Sequence, residues 1–266
     1  MKRFYLLLLC MLPATSAAAT ERIIALTPHA CEILFAIGAG KDVVGVAEYC
    51  DYPAEAARLP KVADARRIYL EAVTKLKPTL AVSGSHSISG IEHLKKIGVR
   101  IAETHPHRVR DIFVDMRSLG RQTSHQKKAD ETVRLLEKRL RTLSNHSSEP
   151  VRTFYEVWPD PLMSEGGPSF ITDMLKYAGA ENIFADNPLE SMHVNVESVI
   201  RAAPKLVIIP KKSRSVEKRT AFWRRWLGEE VHIITIDSDL LHRPGPRLID
   251  GIEQLHARIS RLSASP

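Results

Sequence analysis

The sequence predicts an α/β protein of two lobes, each built on a mostly parallel sheet, joined by one long α-helix. Three observations predict it. From Glu21 onward, short apolar runs alternate with longer amphipathic stretches, the order in which helices cover a parallel sheet. Midway, Ser124 to Ser144 holds no Gly or Pro and sets Ala129, Val133, Leu136 and Leu140 three or four residues apart on one helical stripe. The two halves are also weak copies of each other. Ile33-Leu-Phe-Ala-Ile-Gly-Ala39 parallels Met174-Leu-Lys-Tyr-Ala-Gly-Ala180, and Leu70-Glu-Ala-Val-Thr-Lys-Leu-Lys-Pro78 parallels Val196-Glu-Ser-Val-Ile-Arg-Ala-Ala-Pro204, in the same order.

The elements follow along the chain. Residues 1–19 read as a secretory signal peptide: Lys2 and Arg3, an apolar run from Phe4 to Pro13, then small residues with Ala17-x-Ala19 as the cleavage site. That run is shorter than the about 20 residues a bilayer span takes. Cys10 follows Leu9, where a lipoprotein would carry a small residue, so a soluble periplasmic protein is expected. Residues 20–123 form the N-terminal lobe. Arg22–Leu26 is a strand, Thr27-Pro28 opens a helix to Ile37 capped by Gly38, and Val43–Val46, Leu80–Val82 and Arg100–Ala102 are further strands. Residues 124–147 form the interlobe helix, where about twenty residues reach roughly 30 Å as a stiff strut. Asn145 to Pro150 is the loop out of it. Residues 148–266 form the C-terminal lobe, with strands at Val151–Val157, Leu206–Ile209 and His232–Ile236 and a helix from Phe170 to Ala178 closed by Gly179.

Composition narrows the function. Without Lys2 and Arg3, 36 of the 38 basic residues remain against 31 acidic, a net charge of about +5. The basic cluster Lys211, Lys212, Arg214, Lys218, Arg219, Arg224 and Arg225 reads as a solvated face; it carries no nucleic-acid motif, and export removes that partner. Cys31 and Cys50, an even pair in an oxidising compartment, read first as a disulfide, with two buried thiols and then a metal role as the alternatives. No G-x-S-x-G elbow, P-loop or G-x-G-x-x-G occurs, so no enzyme, and no cofactor of its own, is expected.

Several constellations are candidates for binding. His105 and His107 flank Pro106, and His29, His86, His193 and His242 fall at strand ends or loops, where α/β proteins bind ligands. No paired histidine motif announces a metal-ion site, and none is expected. Glu71 and Glu197 each stand near a helix start, where the dipole favours an anion. Their matched placement also offers two carboxylates, one per lobe, to a two-fold symmetric partner. Asp239-Leu-Leu-His-Arg-Pro-Gly-Pro-Arg247 sets an acid, a His and two Arg in a turn stiffened by prolines. Arg243 there suits a carboxylate, phosphate or amide oxygen, or an ion pair with Asp239. Trp158-Pro-Asp-Pro-Leu-Met-Ser-Glu-Gly-Gly167 supplies an aromatic and the soft Met163 for an apolar pocket wall, or a Trp158 packed in the core.

With these residues in place, the chain resembles the periplasmic binding proteins of ABC importers for vitamin B12, iron-siderophores and haem, most closely the cobalamin-binding branch. The resemblance runs from Arg22-Ile-Ile-Ala-Leu-Thr-Pro28 to Arg247-Leu-Ile-Asp-Gly-Ile-Glu-Gln254. Its more specific motifs are Val43-Val-Gly-Val46, Tyr49-Cys-Asp-Tyr-Pro53, Gly179-Ala-Glu-Asn-Ile-Phe184 and His242-Arg-Pro-Gly-Pro-Arg247. It implies two Rossmann-like lobes bridged by one helix, a ligand in the cleft, and a monomer that hands the ligand to the membrane permease. Glu71 and Glu197 then match the carboxylates offered to permease arginines. Tyr49, Met163, Asp239 and Arg243 fall where cobalamin binders contact the corrinoid; Trp158 and His242 join them as candidate ligand contacts on the reading of the residues themselves. The sequence departs at Ala65, Gly84, Met163 and Ser191, where those binders carry large aromatics. A cobalamin or related corrinoid is the first expectation for the bound ligand. An iron-siderophore or haem is the alternative, with a free metal-ion binding protein or an exported enzyme behind it.

Overall fold

A computed structural model describes residues 21–84, 88–143, 149–211 and 216–263. The predicted signal peptide, His86, Lys212 and Arg214, and most of the loop after the interlobe helix lie outside the described residues.

The N-terminal lobe opens with β1 (Ile23–Ala25), whose three residues are all buried, as a central strand requires. Helix α1 (Pro28–Ala36) begins where Thr27 Oγ1 accepts from the Ala30 amide at 3.3 Å with Pro28 in the first turn, and it ends at Gly38, whose φ of 87° is left-handed. A short 3-10 turn leads to β2 (Val43–Ala47), then α2 (Ala54–Ala57), β3 (Lys61–Ala63), α3 (Leu70–Leu76), β4 (Leu80–Gly84), α4 (Ile91–Lys96) and β5 (Arg100–Thr104). These strands form one parallel sheet in the order β3-β2-β1-β4-β5.

Helices α5 (Val109–Gln122) and α6 (Gln126–Leu143) follow as a hairpin. The stripe expected for α6 is the one buried: Ala129, Val133, Leu136 and Leu140, with Leu143 extending it. The two helices approach so closely that a Cβ on Gly120 would lie 2.4 Å from the Ala129 Cβ, which is why a glycine sits within α5. Helix α6 spans roughly 27 Å by its rise per residue and also touches two C-terminal helices, α7 (Phe170–Ala178) and α11 (Leu248–Ser263).

In the C-terminal lobe, β6 (Val151–Tyr155), β9 (Ala180–Asn182), β11 (Leu206–Pro210) and β12 (His232–Ile236) form a parallel sheet in the order β12-β11-β6-β9. Between them run α8 (Val196–Ala202) and α9 (Val216–Leu227), and α10 (Ser238–Leu241) precedes α11. The strand expected at Val151–Val157 stops at Tyr155. The chain then folds over itself, the Val157 amide donating to the Met163 carbonyl at 3.0 Å, to make β7 (Trp158–Pro159) and β8 (Leu162–Glu165). With β10 (Ser191–His193) these form a second, antiparallel sheet, so the C-terminal half holds two sheets rather than the single one expected. Pro159 and Pro161 hide this hairpin, because proline reads as a strand breaker yet is tolerated in short edge strands.

The internal repeat is structural. Strand order β2-β1-β4-β5 in one lobe matches β9-β6-β11-β12 in the other. Helices α1 and α7 are each nine residues long and lead into a left-handed glycine, Gly38 and Gly179. Helices α3 and α8 are each seven residues long and end on a left-handed residue, Lys77 or Ala203, just before a proline. One apolar core runs from β1 and α1 through α5 and α6 into α7 and α11, crossing between the lobes. A smaller one, around Phe154, Val207 and Trp223, lies within the C-terminal lobe.

Candidate functional site

Parallel sheets gather their ligand-binding residues at the C-terminal ends of the strands, and a hollow of about 370 Å³ lies there, between the lobes. From the first lobe it is lined by Thr27 and His29 beyond β1, Tyr49 beyond β2, Asp64 and Ala65 beyond β3, Gly84 of β4, and Thr104 and His105 at the end of β5. From the second come Phe170, Glu190, His242 and Pro244. A larger hollow of about 720 Å³ is bounded by α1, α2, α6 and α11, with Phe35, Tyr52, Leu136 and Arg139 in its walls. It meets no strand end, so the smaller one is the candidate site.

Two largely buried imidazoles set the polarity of the site. His29 Nε2 shares a 2.9 Å hydrogen bond with Thr104 Oγ1, and burial lowers its pKa to about 4. Burial likewise lowers His242 to about 4; its ring lies 5.8 Å from that of Tyr155. Both rings are neutral at neutral pH. His242 Nε2 and the Tyr155 hydroxyl are buried without a hydrogen-bond partner among the described residues. Glu165, whose charge helps raise the Tyr155 hydroxyl, is itself raised by burial. Of His242 and Tyr155, His242 lines the hollow, and an unsatisfied atom there suits a polar ligand.

Tyr49 stands at the mouth, 60% exposed. Ala65 and Gly84, two of the positions that depart from the aromatic pattern, are in the wall. Met163, Trp158 and His193 come together elsewhere, as a cross-strand row on the small antiparallel sheet (Trp158 opposite Met163, Met163 opposite His193). Trp158 is 57% exposed, its Nε1 donating to the Asp160 carbonyl at 2.8 Å, so it does not pack in the core. Ser191 is on the same sheet and does not line the hollow.

Arg243 is held by carboxylates: Asp51 at 2.6 Å, Asp239 at 3.2 Å and Glu32 at 3.4 Å. Arg247 grips Glu32 with two bonds of 3.0 and 2.5 Å and lies over the Tyr52 ring. Glu32 and Asp51 belong to the first lobe and both arginines to the second, so this cluster ties the lobes together. Sequence patterns missed Glu32, which is buried in the apolar face of α1. They also missed Glu190, which no motif marks. Arg219 of the basic cluster turns inward to the fully buried Glu156, which also accepts from Trp223 Nε1 at 2.6 Å, so that part of the cluster is not the expected solvated face.

Glu71 and Glu197 are exposed in the first turns of α3 and α8, and Glu71 pairs with Lys75 at 2.8 Å. Neither lines the hollow. Cys31 and Cys50 are both buried free cysteines, so the expected disulfide gives way to the alternative of two thiols. They behave as small core hydrophobes in contact: a hydrogen bond between them pushes Cys31 up and Cys50 down, and Cys50 Sγ also faces the Thr27 carbonyl at 3.5 Å. No described helix is long and apolar enough to cross a membrane.

Residues 23–222 match the model of a family described as periplasmic binding protein. The vitamin B12-binding protein of Pectobacterium atrosepticum is 30% identical over 275 residues, covering 99% of this chain and 98% of its own. The periplasmic vitamin B12 binding protein of Vibrio cholerae superposes with a TM-score of 0.77 at 28% identity, over 91% of this chain and 98% of its own. The periplasmic haem-binding protein of Roseiflexus sp. RS-1, at 24% identity, shares the fold with a TM-score of 0.78 over 90% and 97% of the two chains.

Proposed function

The chain belongs to the periplasmic binding protein family, and on that premise we propose that it captures a corrinoid, cobalamin or a close relative, and delivers it to an ABC importer. The observation that carries this reading is the hollow at the strand ends between the lobes, in a chain similar along its whole length to a vitamin B12-binding protein. About 370 Å³ is too small to enclose a whole corrinoid. The hollow therefore takes one edge of the macrocycle, with Tyr49 at the mouth and the exposed Trp158–Met163 row as outlying contacts. His242 Nε2 and the amide groups rimming a corrinoid are complementary in hydrogen bonding. The chemistry is binding and release, with no catalytic step.

In this reading residues 1–19 direct export to the periplasm and are removed, and the mature protein acts as a monomer. Residues 20–123 and 148–266 are its lobes, and residues 124–147 the connecting helix. Glu71 and Glu197 meet basic residues of the permease, one per lobe. Arg243 and Asp239 act on the ligand indirectly, by fixing the lobes that frame it.

A second reading has its own observation. Ala65 and Gly84 leave the wall without large aromatic surfaces, while His29 and His242 present neutral imidazoles. Those features suit haem or an iron-siderophore. Calorimetric titration of the purified protein with cyanocobalamin, haem and a ferric siderophore separates the two. One-to-one, sub-micromolar binding of cyanocobalamin is expected. Tight binding of haem or the siderophore with none of cyanocobalamin would replace the corrinoid reading with the second.

A further inference from the structure

We propose that His105, His107 and Glu190 form a binding site for a borderline divalent transition cation, zinc first, which bridges the two lobes at the edge of the hollow. One ligand atom from each residue lies within 4.8 Å of the other two. His105 Nε2 is 3.9 Å and His107 Nδ1 3.6 Å from the Glu190 carboxylate. Zinc bonds of about 2.0–2.2 Å in a tetrahedron set neighbouring ligand atoms roughly 3.3–3.6 Å apart. The three groups therefore stand within small side-chain adjustments of coordination geometry.

The backbone holds them there in advance. Residues two apart on an extended chain project to the same side, and Pro106 restricts both itself and His105 to extended conformations. The His107 and Arg108 amides donate to Asp111 at 3.1 and 2.8 Å, and the Val109 amide donates across the lobes to Asp173 at 2.9 Å. On the other side, the Glu190 carbonyl accepts from the Gly166 amide at 2.9 Å, just before β10. The imidazole rings meet edge to face, at 84° and 4.2 Å between centroids.

The donor set decides the cation. Two imidazole nitrogens and one carboxylate favour zinc, copper or nickel over the hard cations magnesium and calcium. Three protein ligands leave a fourth position for water or a donor group of a bound solute. His105 and Glu190 both line the hollow, so that position borders it. His107 is 52% and Glu190 40% exposed, which makes the site open to exchange. No paired motif in one segment marks this site, because the third ligand comes from the other lobe. The site does not depend on the corrinoid reading and is tested without any chelate.

The experiment is calorimetric titration of the metal-stripped protein with zinc chloride, and separately with magnesium chloride. One equivalent of zinc should bind, and millimolar magnesium should not. His105→Ala, His107→Ala and Glu190→Gln should each weaken zinc by about 10- to 100-fold, with circular dichroism confirming that each variant is folded. Cobalt(II) should give the strong visible absorption of a four-coordinate ion in the wild type, and lose it in the His105→Ala/His107→Ala variant. Absence of zinc binding, or zinc affinity unchanged in that double variant, would overturn the site.

Discussion

The seam between the lobes contains two polar regions of opposite character. At one, Glu32, Asp51 and Asp239 surround Arg243 and Arg247, and the charged forks are all engaged. At the other, His29 and His242 are largely buried and neutral, and His242 Nε2 lacks a partner among the described residues. Polar groups satisfied internally hold a structure together, whereas polar groups left incomplete at a cavity wall are available to a ligand. The difference divides the most conspicuous turn in the sequence: Arg243 is engaged by carboxylates of the seam, while its neighbour His242 lines the hollow.

The strongest test of that division is Glu32→Ala. Removing the buried carboxylate strands Arg247 and takes one of three carboxylates from Arg243, and should lower stability by about 3–5 kcal/mol, read by urea denaturation. A loss below about 1 kcal/mol would mean that the cluster does not hold the seam. Arg243→Ala should also lower stability but leave the enthalpy of ligand binding unchanged. A changed binding enthalpy would return Arg243 to the ligand.

Acid should act on the other region. Both histidines have folded pKa values near 4, below the ordinary 6.5, so the unfolded chain binds more protons between those values. Their contribution is complete above pH 6.5 and is lost as the pH falls toward 4, by roughly 2 kcal/mol each between pH 7 and 5. Asp115, raised by burial to about 6, works in the opposite sense over part of that range. The informative quantity is therefore the difference between the wild type and His242→Gln. The variant should lose less stability on acidification, and parallel pH profiles would remove His242 from the buried neutral set.

The smallest effect on folding belongs outside the seam. The Glu71→Ala/Glu197→Ala variant should change stability by less than about 1 kcal/mol and leave ligand titrations unaltered, while uptake in cells falls. Normal uptake would end the docking assignment.

The parts of this molecule that could be read from sequence are those whose causes are local. Helix α7 occupies Phe170–Ala178 and β12 occupies His232–Ile236, as expected, because apolar spacing and Gly179 fix them without reference to anything distant. The buried stripe of α6 was legible for the same reason. Tyr49 and His242 reach the hollow because strand ends are where such residues collect. What escaped depends on the other lobe or on context. Glu32 and Glu190 gain their roles only from partners far along the chain. An oxidising compartment suggests a disulfide for Cys31 and Cys50, while both are buried free thiols. The hairpin at Trp158–Glu165 was obscured by its own prolines.

The continuous core through α5, α6, α7 and α11 has a thermodynamic consequence. All three tryptophans, Trp158, Trp223 and Trp226, sit in the C-terminal half, so their fluorescence watches that half alone, whereas far-ultraviolet dichroism samples the whole chain. The larger apolar body is shared across the boundary, so loss of packing in one half uncovers apolar surface of the other. The two signals should therefore melt together, the mark of a single cooperative unit in a molecule drawn as a pair of lobes.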